Sequence, residues 1–299
     1  MSPHIEGFIM LACKTRTWLT VALLAAASAT QASIGEKTAQ RMQRNYDATP
    51  AQCEGNAVPA HACSGVLLRS TRPSPHYHTW HHSQNSKDKG GVSFSYLRRD
   101  LPVTRLAADG RSGFTLYPLL QRPKGSLHYE MLCAWPTDGD TWERDNRGCG
   151  DNRQTPEREA ACHEQGVLSA EDWIAHYRKT GDYKRQCAFD IRRTRVPERA
   201  DAFYQSLRGQ QLFAQEMPFP WNEVVVGAWE EASANTLPIQ SFFHIEGEYG
   251  ALQQAQADQQ DWHKTYGGFI PVIRIRLPQD GTERATFNYY ESDQAVALP

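Results

Sequence analysis

The stretch VLLRSTRPSP, residues 66–75, is a short apolar segment that runs directly into an arginine. Further along the chain, GGVSFSYLRRD, residues 90–100, alternates polar and apolar side chains. A period of two with aromatic and β-branched residues is typical of a strand that has one polar face. The two segments therefore predict two strands, the first ending in Arg69 and the second carrying Ser93 and Ser95 on one face.

The same periodicity predicts further strands on both sides of a helical region, at residues 114–120, 127–135, 223–229, 238–245, 269–277 and 285–290. Between them, SAEDWIAHYRKTG (169–181) opens as a capping box, and VPERADAFYQSLRGQQLF (196–213) has a proline in its first turn. Both features predict helices. The sequence has no internal repeat and no low-complexity linker. It therefore predicts one α+β domain over residues 33–299, with a helical insertion at about residues 150–215.

The first 32 residues have the layout of a secretory signal peptide. Residues 10–32, MLACKTRTWLTVALLAAASATQA, have a basic start, an apolar run and a small-residue end, which predicts cleavage after Ala32 or Ala29. Met10 is an alternative start. The apolar run is shorter than the roughly 20 residues that a membrane-spanning helix needs. The sequence therefore predicts a bacterial protein exported by a Sec-type signal to the periplasm or the medium, without a membrane anchor.

The cysteines agree with export. Once Cys13 is removed with the predicted signal peptide, six remain: Cys53, Cys63, Cys133, Cys149, Cys162 and Cys187. An even number in an exported chain predicts disulfides, here three, whose connectivity the sequence leaves open. A thiolate metal site is the competing interpretation, but the sequence has no CxxC pair. We therefore predict a disulfide-stapled domain.

Charge and common motifs exclude several classes of function. The net charge of −2 gives little attraction for nucleic acid. The GxSxG, Walker and GxGxxG patterns of serine hydrolases and nucleotide-binding proteins are absent from the sequence. Histidines 76, 78, 81 and 82 could bind zinc, but no helical spacing orients them. A surface loop is the favoured interpretation, and we predict no metal.

A third segment gives the arginine and the serines a chemical context. In DQQDWHKTYGGFIPVIRIRL, residues 258–277, acidic and amide side chains precede a Gly-Gly-apolar-Pro strand entry. The order of arginine, Ser-x-Ser and acid resembles that of cholera-toxin-like ADP-ribosyltransferases. More specifically, CSGVLLRSTRPSP, GGVSFSYLRRD, LPIQSFFHI and FNYYESDQ resemble the halovibrin family of secreted bacterial proteins. That resemblance covers roughly residues 63–294.

The resemblance implies an ADP-ribosyltransferase-like mixed β core and secreted NAD glycohydrolase activity, with NAD as substrate and no further cofactor. Two alternatives stay open. The protein could be a toxin that transfers ADP-ribose to a host protein, because the same site then uses a different acceptor. It could also be a non-enzymatic, disulfide-rich binding protein that only shares the fold.

The resemblance also implies which residues catalyse the reaction. Asp261 and Gln259 occupy the two glutamate positions of the toxin motif, so that Asp261 stabilises the positive charge on the ribose and Ser93 holds its carboxylate. The sequence departs from the motif at this point, because residues 251–262 are rich in helix formers. If a helix runs through Asp261, one of the paired acids of HIEGEYG, Glu246 or Glu248, is the better candidate.

The remaining candidates bind the substrate. Arg69 would grip the NAD phosphates, since the guanidinium fork matches phosphate oxygens, and Ser95 would help less directly. Phe94 and Trp262 are aromatic residues that could stack on nicotinamide.

Overall fold

A computed structural model describes most of the chain after residue 32. The described residues are 33–55, 58–73, 78–81, 91–107, 110–139, 149, 161–182, 186–192, 196–217, 221–227, 237–280 and 283–297. The predicted signal peptide lies outside these ranges. Residues 34–299 form one compact unit. In the part of the chain that is described, no helix is long and apolar enough to cross a membrane.

A mixed sheet of nine strands forms the centre of the described structure. Its strands are β3 (Val66–Ser70), β4 (Val92–Leu97), β5 (Ser112–Leu116), β6 (Glu130–Trp135), β7 (Phe189–Asp190), β8 (Glu223–Gly227), β9 (Ile239–Ile245), β10 (Val272–Arg276) and β11 (Thr286–Tyr289). The spatial order is β11-β10-β9-β5-β3-β4-β8-β6-β7. The strands β1 (Gln52–Cys53) and β2 (Val58–Pro59) pair separately. Because β4 lies between β3 and β8, side chains from distant parts of the sequence meet there.

Four helices are described: α1 (Ile34–Asp47), α2 (Ala170–Thr180), α3 (Val196–Phe213) and α4 (Ala251–Tyr266). Helix α4 connects the parallel strands β9 and β10, as a crossover between parallel neighbours requires. Met42 of α1 contacts Ser241, whereas Trp262 of α4 contacts Phe242. Successive strand residues point to opposite faces, so α1 and α4 cover opposite faces of β9.

The two helices predicted between the strand regions are present. Ser169 caps α2, because its hydroxyl accepts from the Asp172 N–H while the Asp172 carboxylate accepts from the Ser169 N–H. The helix ends at Gly181, which is left-handed with φ 63°. Helix α3 spans the predicted segment and packs against α2, β2 and β7.

The predicted disulfides are confirmed, and the structure supplies their connectivity. Cys53 pairs with Cys63, Cys133 with Cys149, and Cys162 with Cys187. Each bond joins segments that are near in sequence, so each disulfide staples one local region. Disulfides of this kind fit a protein that works outside the reducing cytoplasm.

The strand predictions are confirmed for all eight segments, with ends that differ by a few residues. One expectation is wrong: the acid-bearing segment before Gly267 is not a strand entry but the last turns of α4. Its sequence ALQQAQADQQDW contains no glycine, proline or β-branched residue, so helix propensity decides the local structure. Gly267 ends the helix with a left-handed φ of 71° and donates its N–H to the His263 carbonyl.

Candidate functional site

Arg69, Ser93 and Glu223 form a connected cluster on three neighbouring strands. The Ser93 hydroxyl donates to Glu223 Oε1 over 2.5 Å. The Arg69 guanidinium donates from Nη1 to the Ser93 carbonyl over 2.7 Å. Ser93 therefore connects the arginine, through its backbone, with the acid, through its side chain.

The pairing of β4 with β8 explains why the acid reaches the serine. Ser93 pairs with Val225 and Phe94 with Val224 in an antiparallel register. Continuing that register by one position sets Glu223 opposite Ser95. Residues directly opposite each other share a face of the sheet, and so do residues two apart on one strand. Ser93 and Glu223 therefore lie on the same face, one diagonal step apart.

The Glu223 carboxylate is buried and held through both of its oxygens. Its residue is 3% exposed. Oε1 accepts from Ser93, and Oε2 accepts from the backbone N–H of Gly139 over 2.8 Å. Two donors from separate segments fix the orientation of the group, and burial weakens the screening of its charge by water. Such a carboxylate can stabilise positive charge that develops nearby.

Ser95 has a different role from Ser93. It is 1% exposed, and its hydroxyl accepts from the Ala107 N–H over 3.0 Å. The contact fastens the segment between β4 and β5 to the sheet. The indirect contribution of Ser95 to NAD binding stays a prediction.

Asp261 and Gln259 lie in α4, and the expected hydrogen bond between Ser93 and Asp261 is wrong, because Ser93 bonds Glu223 instead. Asp261 Oδ2 contacts His78 Nδ1 at 2.5 Å and accepts from Trp80 Nε1 at 3.0 Å. Gln259 is 1% exposed, and its amide bonds the backbone of residues 270, 295 and 296. Gln259 therefore ties the C-terminal segment to the helix.

Asp258 completes the contact between α4 and the segment of residues 78–81. Its Oδ1 accepts from the Thr79 hydroxyl at 2.5 Å and from the Gln254 amide at 2.8 Å. Burial raises the pKa of Asp258 to about 6, outweighing the hydrogen bonds, which lower it. The carboxyl that accepts from Thr79 therefore has a pKa above that of an ordinary aspartate.

Glu246 and Glu248 follow β9 and lie in another part of the described structure. Both carboxylates are 45% exposed; Glu246 lies 3.7 Å from Arg274 and Glu248 lies 3.2 Å from Arg111. They line an open cleft of about 780 Å³ together with Arg105 and residues that follow β10. Ion pairs at this level of exposure contribute little to stability.

The two aromatic candidates are core residues. Phe94 is 1% exposed and packs edge-on against Phe114, with ring centroids 6.0 Å apart. Trp262 is 7% exposed and packs against Trp80 and Tyr266, at 5.0 and 4.7 Å. Neither ring has a face open for stacking on a ligand, so the expectation that they bind nicotinamide has no support in the structure.

Glu223 is a candidate functional residue that the sequence analysis does not identify. Its signal was present, because the segment EVVVG places one acid at the start of an otherwise apolar strand. An acid in that position is buried at a cost unless donors surround it, which indicates a specific role. Among the described residues, no group of three histidine, cysteine or carboxylate side chains could hold a metal ion.

Comparison with known proteins gives no family for this chain. No protein-family model matches it, and no curated protein sequence matches it. The functional argument therefore depends on the geometry of the site and on the motif resemblance.

Proposed function

We propose that this protein is a secreted or periplasmic NAD glycohydrolase that cleaves the bond between nicotinamide and ribose. Glu223 stabilises the reacting ribose, Ser93 orients Glu223, and Arg69 binds a phosphate of NAD. The observation that carries the proposal is the 2.5 Å hydrogen bond from Ser93 to Glu223, next to the contact between Arg69 and Ser93.

The reaction needs the kind of carboxylate that Glu223 supplies. Breaking the glycosidic bond develops an oxocarbenium-like positive charge on the ribose, as in glycoside hydrolysis. Most glycosidases use a second carboxyl group to protonate the leaving group. Nicotinamide needs no such acid, because it is a cation in NAD and leaves as a neutral molecule. One buried and oriented carboxylate is therefore sufficient for the electrostatic part of the reaction.

Ser93 orients the acid, and Arg69 binds the phosphate of NAD. The Ser93 hydroxyl donates to Glu223 Oε1 and so holds the carboxylate in one orientation. Arg69 donates from Nη1 to the Ser93 carbonyl, which fixes its guanidinium against the backbone of β4. A guanidinium held in this way suits the bidentate recognition of a phosphate group.

The chain order supports the resemblance to the toxin motif with a different acid. Arginine, serine and acid still follow one another, at positions 69, 93 and 223 instead of 69, 93 and 261. In addition, the three residues occupy adjacent strands β3, β4 and β8. We therefore propose Glu223 in place of Asp261, Glu246 and Glu248 as the catalytic acid.

The test compares two acids in one assay. Purified protein is incubated with NAD, and released nicotinamide is quantified by chromatography. We expect Glu223→Gln to lower kcat by about 10²–10³-fold, the typical cost of one electrostatic group. Asp261→Asn is the matched control and retains most of the activity. An active Glu223→Gln with an inactive Asp261→Asn would return the role to Asp261.

Two further outcomes separate the alternatives. If wild-type protein releases no nicotinamide, the protein is not a glycohydrolase, and a non-enzymatic binding protein becomes the better interpretation. If label from NAD appears on a protein in a host extract, the acceptor is a protein side chain rather than water. That result would make the protein an ADP-ribosyltransferase that uses the same three residues.

A further inference from the structure

We propose that the open cleft beyond the carboxyl ends of β9 and β10 binds a short peptide or a free amino acid by its two charged ends. Glu246 binds the ammonium group of this ligand, and Arg105 binds its carboxylate. The proposal does not depend on NAD cleavage, because neither residue belongs to the cluster of Arg69, Ser93 and Glu223.

The cleft has the size and the position of a ligand site. Its volume of about 780 Å³ lies within the range of about 300–1,000 Å³ that small-molecule sites occupy. Ile245 at the end of β9 and Leu277 just after β10 line it. Because β9 and β10 are parallel, their carboxyl ends meet at one edge of the sheet. Open sheets with helical crossovers bind ligands at this edge.

The negative charge of the cleft belongs to Glu246, which is positioned from below by a network of side chains. Arg274 donates from Nε and Nη2 to the Asp293 carboxylate, at 3.1 and 2.8 Å. Asp293 is 2% exposed and also contacts His244 Nε2 at 3.1 Å. The Nη1 atom of Arg274 lies 3.7 Å from Glu246 Oε1. One guanidinium thus faces two carboxylates and is engaged most closely with the buried one, so Glu246 can accept another cation.

The positive charge of the cleft belongs to Arg105, in the segment between β4 and β5. Its side chain is exposed and makes no ion pair or hydrogen bond with any residue that the structure describes. Arg111, which also lines the cleft, differs in this respect, because its Nε lies 3.2 Å from Glu248 Oε2. A guanidinium matches the two oxygens of a carboxylate. Arg105 is therefore available for the carboxylate of a ligand.

The opposite signs of these two charges determine the class of ligand. A simple anion would match Arg105 but face Glu246, and a simple cation would match Glu246 but face Arg105. A molecule with one ammonium group and one carboxylate complements both. Leu106, Ile245 and Leu277 also line the cleft and provide apolar surface for the body of the ligand.

Isothermal titration calorimetry with trialanine tests the proposal. N-acetyl-trialanine lacks the ammonium group and trialanine amide lacks the carboxylate, so both are matched ligands. We expect each block to weaken binding roughly tenfold or more, because a hydrogen bond between charged groups is lost. Free alanine separates the two sources: an affinity equal to that of trialanine identifies an amino acid, and a weaker one identifies a peptide. Wild-type protein that binds neither at millimolar concentration, or that binds all three trialanine forms equally, overturns the proposal.

Two variants assign the ends of the ligand. In Glu246→Gln, acetylation of trialanine should make no further difference to affinity, whereas amidation still weakens binding. Arg105→Gln should show the reverse pattern. If each variant stays sensitive to both blocks, the cleft does not hold the two ends in this way, and the proposal is wrong.

The exposed ion pair of Arg178 and Glu216 supplies matched controls on another element. Arg178→Gln and Glu216→Gln are expected to keep the wild-type affinity for all three forms of trialanine. Urea denaturation shows whether the four variants keep the wild-type free energy of unfolding, as expected for substitutions at exposed positions. A control that loses discrimination as the cleft variants do would contradict the assignment of the site.

Discussion

Arg69 makes a hydrogen bond to the backbone of the neighbouring strand, whereas Arg72 of the same segment is exposed. The Arg69 guanidinium donates to the Ser93 carbonyl at 2.7 Å. A lysine at position 69 would carry the same charge. Its ammonium group is not a planar fork, so it could not hold this carbonyl and also bind a phosphate in the bidentate manner of a guanidinium.

Arg69→Lys therefore tests geometry at constant charge. We expect kcat/KM for NAD to fall by roughly 10²-fold, from lost bidentate recognition and a less ordered Ser93. The free energy of unfolding changes by less than about 1 kcal/mol, since the position is only half-buried. Arg72→Lys is the control. Steady-state kinetics and urea denaturation measure both quantities, and equal kinetics in the two variants contradict a phosphate-binding role.

The sequence predicted part of this site and not the rest, for a physical reason. Arg69 and Ser93 were predictable, because each belongs to a short strand with a recognisable local pattern. Glu223 was not, because its partner Ser93 is 130 residues away and no local pattern encodes that pairing. The local motif that contains Asp261 points to a different residue, because helix propensity decides the structure of that segment.

Helix α4 carries two acids, Asp258 and Asp261, and their described contacts lie with residues outside the cluster of Arg69, Ser93 and Glu223. Asp258 and Asp261 fall one turn apart, so both face residues 78–81. Trp80 lies against Trp262 and Tyr266 of the same helix. The helix therefore holds the connection between β3 and β4 through a polar and an aromatic contact together. The sequence indicated the helix formers, but not what the helix would contact.

The pH dependence of this contact follows from Asp258. Its pKa is raised to about 6, so the folded state binds the proton more tightly than the unfolded chain does. Its contribution to stability is therefore complete below about pH 4 and is lost as the pH rises through about 6. The groups that face it are Thr79, Gln254 and Asp261.

Asp258→Asn should remove this dependence, because the amide oxygen still accepts from Thr79 and Gln254 but does not titrate. Between pH 4 and 7.5, wild-type protein is expected to lose up to about 3 kcal/mol of unfolding free energy relative to the variant. Urea denaturation at both pH values measures the difference. Asp201→Asn, at an exposed helix position, is the control. A constant difference between wild type and Asp258→Asn contradicts the assignment.

At the scale of the whole molecule, three disulfides staple three separate regions: the β1–β2 hairpin, the segment after β6 and the start of the helical insertion. The sequence predicted their number from the even count of cysteines. It left their connectivity open, because a count of cysteines does not select among the possible pairings. The order of the strands could not be predicted either, because it depends on pairings such as β5 with β9 that join distant segments.

The complete pairing of the cysteines can be measured directly. We expect protein that begins at residue 33, denatured without reductant, to show almost no free thiol in a colorimetric titration. Reduction before denaturation should then release all six thiols. Two or more free thiols per chain in the unreduced sample contradict the pairing, and peptide mapping would identify the open bond.

The order of the strands also determines when the cluster can exist. β3 and β4 can pair as soon as residue 97 has been made, whereas β8 must wait for residues 223–227 and then insert between β4 and β6. Contacts of such long sequence separation form slowly, because the intervening chain must first be ordered. An unfinished chain in which β3 and β4 have paired has the arginine and the serine but not the acid in place. Under the proposed function, a cell that makes this protein keeps its own NAD until folding is nearly complete.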